Sequence, residues 1–144
     1  MKTKPSKLHP VIKVKTFKEK KAQGELVQIQ VTREQEHSAL SRLNQKQNHA
    51  MKADGRTVRV SANEMQASRA FITRLSHQIQ QQEKKIEGIK VQEDEKREEL
   101  TKKSQARKMV EKLDEKRKAT IAKEMERKEQ RMLEVLTRTM GLAL

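Results

Sequence analysis

A chain of 144 residues is long enough for one domain, yet only 33% of it is hydrophobic, 38% is charged, and Phe17 and Phe71 are its sole aromatic residues. Lys and Arg number 34 against 20 Asp and Glu, a formal charge of +14, and there is no cysteine. This composition excludes a large globular core, disulfides and thiolate chemistry, leans towards a cytoplasmic setting, and offers neither the ~20 apolar residues of a membrane span nor a signal-peptide core.

Chains rich in Glu, Lys, Arg, Gln, Leu and Ala form coiled coils when apolar residues recur every 3.5 to 3.6 positions, and stay disordered when they do not. Residues 1–9 read as a flexible start. Eight lysines and one acid, Glu19, fall within residues 1–21. Pro10 suits the first turn of a helix with His9 at its cap, and Val11, Ile12, Val14 and Phe17 follow as an apolar cluster. Helix 1 is predicted over 10–53. From Ala22 its core positions step by four and three through Leu26, Ile29, Arg33, Glu36, Leu40, Leu43, Gln47 and Ala50, a heptad seam with two charged interruptions.

The run Asp54-Gly55-Arg56-Thr57 marks a turn, predicted over 54–60. Helix 2 is predicted over 61–138, a stretch without proline. Ser61 and Glu64 form a capping box, and Val60 and Met65 hold the two positions of a hydrophobic staple. The second seam runs through Met65, Ser68, Ile72, Leu75, Ile79, Gln82, Ile86, Ile89 and Glu93. Residues 139–144 are left as a tail. The fold class is therefore all-α: one coiled-coil domain, a two-helix antiparallel hairpin whose second helix is longer and extends past the first.

The two seams suggest a register. If the residue numbers of facing pairs add to 115, Ala50 meets Met65, Leu43 meets Ile72, Leu40 meets Leu75 and Leu26 meets Ile89, each an a position against a d position. Glu36 with Ile79 and Ala22 with Glu93 fit poorly. Gly24 and Gly88 fall near one level, as a soft point or a close approach of backbones, each weakening its helix by roughly 1 kcal/mol relative to alanine.

Beyond this seam Val110, Leu113, Ile121, Met125, Met132 and Leu136 form a stripe with no partner inside the chain. Acid-first pairs four residues apart, such as Asp114 with Lys118, Glu124 with Lys128 and Glu134 with Arg138, support that helix. Charge is uneven: residues 1–21 carry +7 and residues 97–138 carry +5, leaving +2 between them. Positive charge gathers where the termini lie, an arrangement suited to acidic partners.

No catalytic residue, cofactor site or metal site is predicted. His37 and His77 share a level at this register without further ligands beside them, and there is no phosphate loop and no nucleophile with a base. Two function classes remain. A nucleic-acid-binding coiled coil would rest on charge alone, because two phenylalanines cannot make a stacking platform. A protein-interaction rod also accounts for the unpaired stripe.

A lysine-rich start, Phe17 in helix 1 and the block Lys108-Met109-Val110-Glu111-Lys112-Leu113-Asp114-Glu115-Lys116-Arg117 resemble the FliJ family of the flagellar type III export apparatus. The resemblance implies a non-enzymatic cytoplasmic coiled coil, peripherally associated with the inner membrane at that apparatus. It implies a central stalk in the hexameric export ATPase ring, with a membrane export gate protein and export chaperones as further partners. It implies no small-molecule substrate, and nucleic acid is not expected. The stalk proteins of virulence type III secretion systems are the nearest alternative. Expected partner-binding residues are Phe17, Phe71, Val110, Leu113, Ile121, Met125, Met132 and Leu136. For Phe71, contact with the export gate stands beside a simpler role covering the Leu43–Ile72 layer.

Overall fold

Backbone donors at a helix start need partners, and Ser61 and Glu64 supply them to each other. The Glu64 amide donates to Ser61 Oγ and the Ser61 amide donates to Glu64 Oε2, each at 3.2 Å, while the Met65 amide reaches the Ser61 carbonyl at 3.0 Å. The computed structural model describes residues 6–56 and 59–142. Within them are two helices, α1 (His9–Arg56) and α2 (Ala62–Leu142), and no strand. The fold is an all-α hairpin with the second helix longer.

Three expected boundaries move. His9 lies inside α1 rather than capping it. The Ile12 amide donates to the Leu8 carbonyl at 2.9 Å, which puts Leu8 at the cap, and Ser6 holds the entry turn through bonds from the amides of Leu8 and His9. Of the expected flexible start, residues 1–5 lie outside the described residues. The turn also shifts. Gly55 has no positive φ, so nothing there breaks the helix, and α1 continues to Arg56; Thr57 and Val58 lie outside the described residues. The expected tail is helical through Leu142, with Ala143 and Leu144 outside the described residues.

The chain divides into two compact units, one formed by Lys21–Leu100 and the other by the described parts of Met1–Lys20 and Thr101–Leu144. In the first unit the predicted seam positions are those withdrawn from solvent. Ala22, Leu75, Ile79 and Ile86 are buried, and Leu26, Ile29, Leu40, Leu43, Ala50, Ile72 and Ile89 are half-buried. Met65, in the first turn of α2, is exposed. The register differs from the predicted one. Gln47 Nε2 donates to Ser76 Oγ at 2.6 Å, Ser68 Oγ to Asp54 at 3.1 Å, and Lys96 Nζ to Glu25 at 2.9 Å. Facing numbers now add to about 122, one heptad beyond 115.

A one-heptad slip keeps every a position opposite a d position, so the apolar pattern survives it. Leu43 then stands level with Ile79, not Ile72. His37 and His77 part, and His77 Nε2 lies 3.3 Å from Gln81 of its own helix. Gly24 and Gly88 also separate, and a Cβ on either would meet nothing within 4 Å. That removes the close-approach explanation and leaves two soft positions.

The register is open to a direct check. Cysteines replacing Gln47 and Ser76 should oxidise to a disulfide within one chain. Cysteines replacing Leu40 and Leu75, about 10 Å out of level for a seven-residue slip, should not, because a disulfide needs close Cβ atoms. Non-reducing gels of the two double variants read the result, and the opposite outcome would restore the 115 register.

Candidate partner-binding surfaces

In the Lys21–Leu100 unit the seam takes its charged interruptions in pairs. Glu93, only 1% exposed, accepts from Arg33 of α1 and from Arg97 Nη2 at 2.7 Å, with Gln30 at 3.5 Å. Glu36 is held by Lys85 at 2.9 Å and by the Gln82 amide, which also donates to the Glu36 carbonyl. Hydrogen bonding from Lys85, then from Gln82, holds the Glu36 carboxyl below the usual range. Lys96 bridges Glu25 and Glu99, an arrangement that lowers the Glu25 carboxyl and raises the Lys96 ammonium. No side-chain polar atom is left buried without a partner among the described residues.

Phe71 lies on this unit with about half its surface, 47%, in solvent. It was expected to cover the Leu43–Ile72 layer, but at this register Phe71 has no Leu43–Ile72 layer to cover.

The other unit pairs residues 6–20 with α2 as far as Asp114. Glu19 is nearly buried and accepts from Arg107 Nε, whose hydrogen bond lowers its pKa; Arg107 also reaches Glu111 at 2.8 Å. Asp114 accepts from Ser6 Oγ and from Lys118 at 3.0 Å, and these two bonds, Ser6 first, hold its carboxyl below the usual range. Beyond Asp114 every described side chain is exposed.

The predicted stripe is thus divided. Val110 is half-buried inside this unit and Leu113 is 46% exposed, while Ile121, Met125, Met132 and Leu136 lie in the uncovered segment. Leu133, Val135 and Met140 are exposed with them, a widening that the sequence analysis missed because only one narrow face was followed. The spacing also changes. Val110, Ile121 and Met132 follow one another at intervals of eleven, as do Asp114, Met125 and Leu136. Of the acid-first pairs expected here, Asp114–Lys118 is closed. Glu124 with Lys128 and Glu134 with Arg138 stay open among the described residues. Phe17 is 69% exposed and Val14 54%, while Ile12 turns inward and is half-buried.

No group of three His, Cys, Asp or Glu able to hold a metal is found among the described residues, and no described helix is long and apolar enough to cross a membrane. The described residues form a helical hairpin that leaves apolar side chains in solvent on both units. The family described as "Flagellar FliJ protein" matches residues 3–135, nearly the whole chain, and the protein belongs to that family. No curated relative and no solved structure matches it. It is a component of the flagellar export apparatus, from a family of non-enzymatic proteins that interact with other export components.

The paired carboxylates set an acid limit. Glu19, Glu25, Glu36 and Asp114 all titrate lower when folded than their ordinary values of about 4.3 and 3.9. Their contribution is present above those ordinary values and is lost as pH falls through the lower folded ones. Lys96, raised when folded, contributes fully below about 10.4 and loses its contribution as pH climbs through its folded value. Thermal unfolding followed by circular dichroism should show a plateau from about pH 5 to 9 and a fall below about pH 4. A melting temperature that rose between pH 5 and 3 would contradict these pairings.

Proposed function

We propose that this chain is the central stalk of the hexameric export ATPase ring. In this reading it couples the ring to the membrane export gate, assists the recycling of export chaperones, and sits peripherally at the inner membrane. The observation that carries the reading is the uncovered length of α2. Residues 115–142 expose Ile121, Met125, Met132 and Leu136 together, and unburied apolar stripes of this kind mark contact surfaces.

Charge supports the same assignment, because residues 97–138 net +5 and residues 1–21 net +7. A basic helix is drawn into an acidic opening and held there by modest apolar contacts, so it can turn or leave. The flagellar family match favours this setting over the virulence secretion stalks.

Removing residues 121–144 should abolish stimulation of the hexameric ATPase, and raised salt should weaken the intact complex by screening. The paired units keep their seam, so the helical signal per residue should persist. A truncated chain that activates the ATPase like the full one would refute the assignment.

Phe71 is the residue proposed for the export gate, since it is the one large aromatic side chain on its unit and is half-exposed. Phe71→Ala should weaken binding to the gate protein by about tenfold, the order expected for losing one well-buried aromatic contact, with little change in melting temperature. A large loss of stability with gate affinity intact would return Phe71 to a packing role.

A further inference from the structure

The unit that pairs residues 6–20 with α2 has two sides, and they differ in chemistry. Its seam positions are fixed by burial: Ile12, Lys15 and Glu19 on α1, and Arg107, Val110 and Asp114 on α2. Counting heptads from these anchors places Val11 and Val14 at g and c, and Leu113 and Met109 also at g and c. In an antiparallel pair the local two-fold axis puts equivalent positions of both helices on the same side. These four side chains therefore share one side, at interleaved levels, and Phe17, at f, lies on the back of α1 that borders both sides.

All five are solvent-exposed: Val11 42%, Val14 54%, Phe17 69%, Met109 72% and Leu113 46%. The cations on the same side are Lys7 and Lys18 from α1 and Lys102 and Lys116 from α2, none in an ion pair among the described residues. Carboxylates are absent from it. Glu19 is turned into the seam against Arg107, and Glu111 and Glu115 occupy the e and b positions of the opposite side.

We propose that this side docks directly on an anionic lipid surface. A two-helix face with an apolar centre, a lysine border and no carboxylate has the features of an interfacial membrane-binding element, in which the apolar residues enter the headgroup boundary. The border is made entirely of lysine, whose long stem covers apolar surface while its ammonium reaches out to phosphate. The arginine of this stretch, Arg107, is committed to Glu19 and Glu111. A nucleic-acid or phosphopeptide surface would instead favour the planar, bidentate fork of arginine. The proposal is separate from the ATPase reading, which uses residues 115–142 and the uncovered stripe.

Flotation of the full chain with vesicles tests it. Vesicles of equal parts phosphatidylglycerol and phosphatidylcholine should carry the protein up the gradient, and pure phosphatidylcholine vesicles should not. Met109→Ser should weaken partitioning about tenfold or more, the order expected for losing one buried apolar side chain. Lys7→Glu with Lys18→Glu should abolish it. Lys13→Glu with Lys20→Glu, the same charge change at b positions of the opposite side, should reduce it far less. Circular dichroism should show all variants equally helical, since every altered side chain is exposed. Three results would overturn the proposal: no flotation on anionic vesicles, equal flotation on neutral ones, or equal losses from the two charge-reversal pairs. Capture by poly-glutamate without vesicle binding would likewise reject lipid in favour of an acidic protein surface.

Discussion

A single carboxylate sealed between two helices decides how they align. Sliding α1 along α2 by seven residues leaves an apolar seam intact, so leucines and isoleucines alone cannot choose between registers. Glu93 can. At the observed register it lies 1% exposed between Arg33 and Arg97. One heptad away it would stand level with Ala22, a buried charge without a cation from α1. Arg97 travels with Glu93 on α2, but the hydrogen bond from Arg33 is lost, and a hydrogen bond to a charged group contributes about 1.5–3 kcal/mol. Glu19 with Arg107 and Asp114 with Ser6 repeat the device in the other unit.

This also explains which parts of the fold could be read from the residues. Helix positions, the capping box at Ser61 and the identity of nearly every seam residue follow from local chemistry and from a repeat of seven, and all are legible. The register is not, because a repeat is blind to shifts by its own length. The poor layers Glu36–Ile79 and Ala22–Glu93 do not by themselves choose a register, because at the observed one these carboxylates stand level with Ile86 and Ile29; what the observed register adds is a cation beside each, Lys85 and Arg33. The turn was misplaced for a related reason. A glycine after aspartate signals a turn statistically, but Gly55 sits in an α1 that continues to Arg56.

The exposed apolar faces were legible only in part. The uncovered residues Ile121, Met125, Met132 and Leu136 stand out because a repeating apolar face with no partner is visible in a sequence. Val110 does not belong with them, since the corrected register brings α1 alongside it. Val11 and Val14 stand out as an apolar cluster and Leu113 as part of the stripe, but that they share one side with Met109 is not visible in the sequence. The members of that side come from segments nearly a hundred residues apart, and they lie between the seam positions.

The spacing along α2 carries one more consequence. As far as Asp114 its inward residues keep a seven-residue repeat, and a sustained repeat of seven makes paired helices wind left-handedly around each other. From Val110 onward Val110, Ile121 and Met132, and after Asp114 Met125 and Leu136, recur at eleven, which reverses the preferred hand. A helix packed along Ile121, Met125, Met132 and Leu136 would therefore run nearly straight or cross to the right rather than continue the groove that α1 occupies. A single helix thus carries apolar spacings of two opposite hands, one covered by its own chain and one left in solvent.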